Sequence, residues 1–198
     1  MWHIGVNGIL NLSGYNKDME NKETIAFGGG CFWCTEAVFK SLKGVMSVQS
    51  GYTGGTIVNP TYEQICTGTT GHAEVIKIEY DPSQIDAKTL MTVFFATHDP
   101  SQLNRQGNDV GTQYRSAIFY TTPAQKEQAE AMIKEIDASS ADGGKVVTEV
   151  TPLGAFYPAE EYHQDYFARN PDKAYCQIVI NPKVAKVQEK FAQLLKNN

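Results

Sequence analysis

Nowhere in these 198 residues does an apolar run approach the roughly 20 that a helix needs to cross a membrane. Basic runs are missing too. The 17 Lys and Arg are scattered and outnumbered by 22 Asp and Glu, which gives a net charge of -5. Such a chain has no general affinity for nucleic acid or anionic membranes. With no internal repeat and no low-complexity linker, one domain is expected, starting near Lys22. Residues 1–21 lack the charged start and long apolar run of a signal peptide. They read as a loose extension ahead of a single domain over 22–198, and the cytoplasm is the default location. Core-forming material is present, with 41% hydrophobic and 11% aromatic residues.

Cysteine is sparse. The four stand at 31, 34, 66 and 176. An even number can mean disulfide staples in a secreted protein, but a chain of this size has core enough without them. Cys31 and Cys34 form a close Cys-x-x-Cys pair, which reads first as redox or metal chemistry.

Thr24–Phe27 is a short apolar strand stopped by Gly28, Gly29 and Gly30. Helical spacing of Val38, Phe39 and Leu42 predicts a helix over 32–42, and Val45–Tyr52 reads as a strand. His72–Tyr80 alternates, with Glu74, Ile76, Ile78 and Tyr80 on one face. Asp86 can cap a helix to about Thr97, and 98–113 is a long loop of the kind that carries function. Arg115–Tyr120 is a strand, and Thr122-Pro123-Ala124-Gln125 is a capping box opening a helix to about Ser139. Further along, 146–150 reads as a strand, 159–169 as a helix and 175–180 as a strand. Asn181-Pro182 then opens a last helix. Strands and helices intermix without strict parallel alternation, so the class is α+β.

Gly28 to Cys34 is the informative segment. Strand, glycines and helix start place Cys31 at or just before a helix N-terminus, where backbone N–H groups and the helix dipole favour the nucleophilic thiolate. Phe32 and Trp33 can wall a pocket for a small apolar group. The plain alternative is a buried cysteine among core aromatics, and the glycine run weighs against it. Glu74, on an apolar strand face, is oddly placed for a charge. Burial there raises a carboxyl's pKa, leaving an acid able to donate a hydrogen bond and deliver a proton. A strand-end Glu turned to solvent or paired with a Lys is the alternative, and the residues alone leave the two level. His72 and His163 read as structural hydrogen-bonding groups.

GGGCFWCTEAVF resembles the active-site signature of the A-type peptide-methionine sulfoxide reductases, whose core is GCFW. The resemblance continues through GYTGG, NPTYEQIC, TGHAEVIKIEYDP, HDPSQLNRQGNDVGTQYRSAIFY and FYPAEEYHQDYFARNP, covering roughly 24–181 in order. It implies a two-layer α/β sandwich around a mixed sheet, with a ferredoxin-like core and long loops. It also implies reduction of the S epimer of methionine sulfoxide, free or in proteins, with no metal, flavin or nicotinamide on the chain. Thioredoxin, or another dithiol, would be the external reductant, and a monomer is expected. By the same resemblance Cys31 is the nucleophile, and Phe32 and Trp33 hold the substrate methyl. Glu74, Tyr62 and Tyr114 act at the sulfoxide oxygen, and Asp109 is a supporting acid. Cys31 would become a sulfenic acid that a second cysteine resolves to a disulfide. Many family members have glycine at the position of Cys34 and resolve through a glycine-rich tail. Cys34, one helical turn from Cys31, is the first candidate, and Cys176, near the position of a tail cysteine, is the alternative. Cys66 is expected to be inert.

Three other classes fit these residues less well. A zinc module would draw on Cys31, Cys34, Cys66, His72 and Cys176, but a second close pair is missing. A thioredoxin-like disulfide oxidoreductase leaves the GHAE and GND segments without a role. A non-catalytic peptide-binding domain has no need of Cys31 and Glu74.

Overall fold

A computed structural model describes residues 22–139 and 145–196; the expected extension at 1–21 lies outside the described residues. The apolar run after Lys22 forms β1 (Glu23–Gly29). It ends where Gly30 takes φ +89°, a left-handed conformation open to glycine, and a side chain there would meet Gln106. That turn feeds α1 (Phe32–Lys40), followed by β2 (Val45–Thr53) and the short α2 (Tyr62–Cys66). Thr61 and Gln64 close a capping box on α2. Next come β3 (Ala73–Tyr80) and α3 (Ala87–Thr97), where the Asp86 carboxylate accepts the Thr89 N–H at 2.7 Å. The long loop holds a minimal hairpin, β4 (Arg105–Gln106) and β5 (Asp109–Val110), before β6 (Ser116–Tyr120). α4 (Pro123–Ser139) opens on the expected capping box: the Gln125 N–H donates to Thr122 Oγ1, and the Thr122 N–H to Gln125 Oε1.

The chain continues through β7 (Glu149–Pro152), β8 (Tyr157–Pro158), α5 (Tyr166–Arg169) and α6 (Asn181–Lys190). The main sheet runs β7-β6-β1-β3-β2-β8, mixed because only the β6–β7 pair is parallel. Its four central strands, with α1 and α3, make the β-α-β-β-α-β unit of a ferredoxin-like fold. The class is α+β. The main core packs Ile76, Ile78 and Tyr80 of β3 with Phe27, Phe39 and Phe94. A smaller cluster, Ala73, Val75 and Phe119 with Leu153 and Phe156, covers the opposite face.

Three expectations need correction. The strand read at 146–150 lies at Glu149–Pro152, where parallel pairing with Ala117–Tyr120 sets the register. The helix read at 159–169 is interrupted. A single 3-10 turn (Glu161–His163) and α5 flank Asp165, whose φ of +55° no α-helix accommodates. The strand read at 175–180 is instead a π-helical turn, Cys176–Ile180, running straight into α6. Its apolar residues are those of a strand, but Cys176 and Ile180 are buried against Cys34 of α1 and never join the sheet.

Candidate active site

Cys31 is the N-cap residue of α1, at the end of β1, with its sulfur nearly buried. Glu74 lies on the core face of β3, opposite Tyr52 of β2 in the register, and is 2% exposed. The Phe32 N–H, first of α1, donates to Glu74 Oε2 at 3.2 Å, so the helix start grips the carboxyl rather than the sulfur. Tyr62 enters from the first turn of α2, Tyr114 from the turn before β6, and Asp109 from the β4–β5 hairpin. With Cys31, Phe32, Trp33 and Glu74 they line a single cavity of about 80 Å³, closed on its last side by Tyr175. All seven residues singled out for chemistry and substrate contact therefore meet in one place.

Protonation follows from burial. Desolvation lifts the Glu74 pKa to about 8, outweighing the Phe32 N–H that favours the charged form, and Asp109 adds to the rise. Glu74 is thus largely a neutral acid at pH 7. Desolvation also raises the pKa values of Tyr62 and Tyr114, with Glu74 contributing to both, so each phenol keeps its proton to donate.

The two thiols are coupled. Burial, the Cys34 sulfur and Glu74 push Cys31 well above an ordinary thiol. Cys34 is drawn down to about 7, chiefly by the hydrogen bond from Cys31. Burial thus opposes the thiolate that the helix start favours at Cys31, because the cavity that receives substrate also desolvates the nucleophile, and Cys34 is the thiol of the pair that ionises more readily. Cys176 is fully buried and packs with Cys34 and Ile180. All four cysteines are free. Cys66, expected to be inert, ends α2 in the open.

Two features of the site escaped the sequence. The Tyr175 hydroxyl donates to Asp109 Oδ2 at 3.2 Å and also reaches the Cys31 and Cys34 sulfurs. It was hidden in the segment read as a strand. Trp33 is fixed by the broken segment: its Nε1–H donates to His163 Nδ1 at 3.2 Å, and its ring stacks on Tyr166 at 3.6 Å between centroids. His163 therefore carries its own proton on Nε2 and is a structural hydrogen-bonding group. His72 is another, taking the Gly55 N–H on Nδ1 and bonding the Ile57 carbonyl through Nε2. Among the described residues no three His, Cys, Asp or Glu side chains are arranged to hold a metal ion, and no helix is long and apolar enough to cross a membrane.

A ferredoxin-like α+β core with a thiol pair at a helix start defines a thiol-dependent oxidoreductase. A family model described as peptide methionine sulfoxide reductase matches residues 23–195, and the chain belongs to that family. A peptide methionine sulfoxide reductase of Haloquadratum walsbyi is 58% identical over 173 residues, 87% of this chain and 98% of that protein. A relative of the same description from Deinococcus radiodurans is 50% identical and covers 98% of this chain and 99% of its own length. Among solved structures, methionine sulfoxide reductase A of Corynebacterium diphtheriae superposes with a TM-score of 0.74 at 40% identity, over 77% of this chain and 76% of that one. The chain is an enzyme that reduces methionine sulfoxide.

Proposed function

We propose that the cavity takes the methyl sulfoxide end of an oxidised methionine, the S epimer, free or within a protein, and reduces it at Cys31. One observation carries this reading: a thiol, a carboxyl protonated near neutrality and two protonated phenols converge on a space of about 80 Å³. Phe32 and Trp33 enclose the methyl group, while Glu74, Tyr62 and Tyr114 donate to the sulfoxide oxygen. Cys34 accepts the Cys31 proton as the Cys31 sulfur attacks. Oxygen passes to Cys31, the sulfoxide sulfur gains two electrons, and methionine leaves a sulfenic acid behind. Asp109 and Tyr175 steady the two sulfurs and the donors around them.

Cys34 then resolves Cys31, since it already holds a hydrogen bond to that sulfur and Cys176 packs behind it. The S–S bond forms, the S–O bond of the sulfenic acid breaks, and the oxygen leaves as water. An external dithiol of the thioredoxin kind restores both thiols. The yeast protein Mxr1, whose reduced form is 32% identical to this chain with a TM-score of 0.72, has been solved in complex with Trx2. In this reading 22–198 is one catalytic domain, working as a monomer in the cytoplasm to repair oxidised proteins.

Assays with resolved epimers of a methionine sulfoxide and a dithiol donor test the assignment. Cys31→Ser is expected to abolish turnover, and retained turnover would refute the nucleophile. Glu74→Gln keeps the shape but loses the acid, so kcat falls by about 100-fold or more.

A further inference from the structure

Two cavities flank the Cys31–Cys34 turn. The smaller, in front, is the one assigned above to the sulfoxide. The larger, about 400 Å³, lies behind it, lined by His98 and Gln106. Those are the side chains that a methyl group built on Gly29 or Gly30 would meet, so this cavity backs directly onto the glycines that precede Cys31. Its far wall is the first turn of α6, with Pro182, Lys183 and Lys186.

Lys183 is half-buried and makes no ion pair or hydrogen bond among the described residues. Asp99, the carboxylate in the same cavity, is engaged by Ser101 and Gln102. Val184, the next residue, packs against the cluster of Cys34, Cys176 and Ile180. The turn that carries this ammonium thus packs, through Val184, on the cluster that holds Cys34.

We propose that Lys183 is a positioning residue for Cys34: its unpaired ammonium in the rear cavity holds the Cys34 sulfur as the thiolate that resolves the oxidised Cys31. The proposal rests on the reading that Cys34 is the resolving thiol. The titratable groups facing Cys34 are Cys31 on its own helix, Glu74 of β3, Asp109 of the hairpin, Tyr175 and Cys176 before α6, and Lys183 of α6. Cys31 and Tyr175 donate hydrogen bonds; Glu74 and Asp109 oppose a further negative charge; Lys183 is the cation among them. A thiolate beside a cation forms at lower pH. In the resolving step Cys34 sheds the proton it took from Cys31, and the thiolate so formed attacks the Cys31 sulfenic sulfur as the S–O bond breaks. The departing hydroxide takes up that proton to become water. Cys34 is oxidised, the sulfenic sulfur is reduced, and no outside oxidant is needed. In the return step an external dithiol attacks Cys31, and Cys34 departs as the same cation-stabilised thiolate.

The test is the pH dependence of disulfide formation in a single turnover, using full-length protein and a slight excess of a methionine sulfoxide. The bridge is mapped by mass and the sulfenic acid trapped with dimedone. Lys183→Met should move the midpoint upward by about one pH unit, which slows disulfide formation about tenfold below the midpoint. It should also raise the dimedone adduct on Cys31, while Lys183→Arg restores the wild-type midpoint. Lys186→Met, in the same cavity but exposed, should leave the midpoint in place. Lys183→Gln gives the same reading if the Met variant does not fold. A Cys31–Cys34 bridge whose midpoint ignores Lys183, or follows Lys186 equally, overturns the role of Lys183 alone. A bridge from Cys31 to Cys176 overturns the parent reading and this one together.

Discussion

At the scale of the residue, the unusual group is Glu74, a carboxylic acid built into the core face of a central strand. Its pKa rises from 4.5 to about 8 on folding because burial removes the water that would stabilise the anion. Between those values the folded protein binds a proton that the unfolded chain has released. Stability from this group is therefore full below about pH 4.5 and declines as pH rises through about 8, above which both states are ionised. Denaturant titrations at pH 5 and pH 8 should differ by a few kcal/mol, and Glu74→Gln should flatten much of that difference. An unchanged slope in the variant would mean that Glu74 does not keep its proton in the fold. The same proton is the one proposed for the sulfoxide oxygen, so activity should also fall as pH climbs past about 8. Glu74's strand face was legible from alternation alone. Tyr62, Tyr114 and Asp109 were legible only through the motifs that hold them, because a tyrosine in a turn and an aspartate in a Gly-Asn-Asp loop carry no chemical signature of their own.

At the scale of the element, local chemistry and tertiary packing part company after residue 158. Strands with alternating faces and helices with side-chain caps were readable, since their signals lie within a few residues. The segment 159–169 carries helix formers yet breaks at Asp165, where long-range contacts prevail. The buried Glu36 of α1 accepts the Asp165 N–H at 3.0 Å, and Lys40 of the same helix bonds both Glu36 and the Asp165 carboxylate. This clasp holds the reversal that sets Tyr166 and His163 against Trp33. Glu36→Ala leaves a partly buried N–H unsatisfied and should lower stability by about 1–3 kcal/mol. Because the clasp acts through the Trp33 wall, KM should rise more than kcat falls, with a change in tryptophan emission. Glu36→Gln keeps an acceptor and should recover most of both. Wild-type KM and emission in Glu36→Ala would separate the clasp from the site.

At the scale of the whole molecule, topology decides what the redox pair can do to stability. The central four-stranded unit is flanked by β7 beside β6 and by the two-residue β8 beside the end of β2, and the apolar stretch 175–180 packs onto α1 instead of adding to the sheet. No short-range pattern in YCQIVI announces this, which is why the sequence kept Cys176 open as an alternative to Cys34 as the partner for Cys31. Packing now orders the three sulfurs, with Cys34 between the other two. A bridge between Cys31 and Cys34 closes a loop of roughly four residues and removes little freedom from the unfolded chain, about 2 kcal/mol at most in the chain-entropy model. A bridge from Cys31 to Cys176 would close roughly 145 residues and add about 5 kcal/mol. For a domain of this size 1 kcal/mol moves Tm by about 2–4 °C. Protein oxidised by one turnover without reductant should therefore melt within a few degrees of the reduced form. A rise of more than about 10 °C would show instead that the distant cysteine had been drawn into the bridge, and that α6 and the turn before it rearrange during the catalytic cycle.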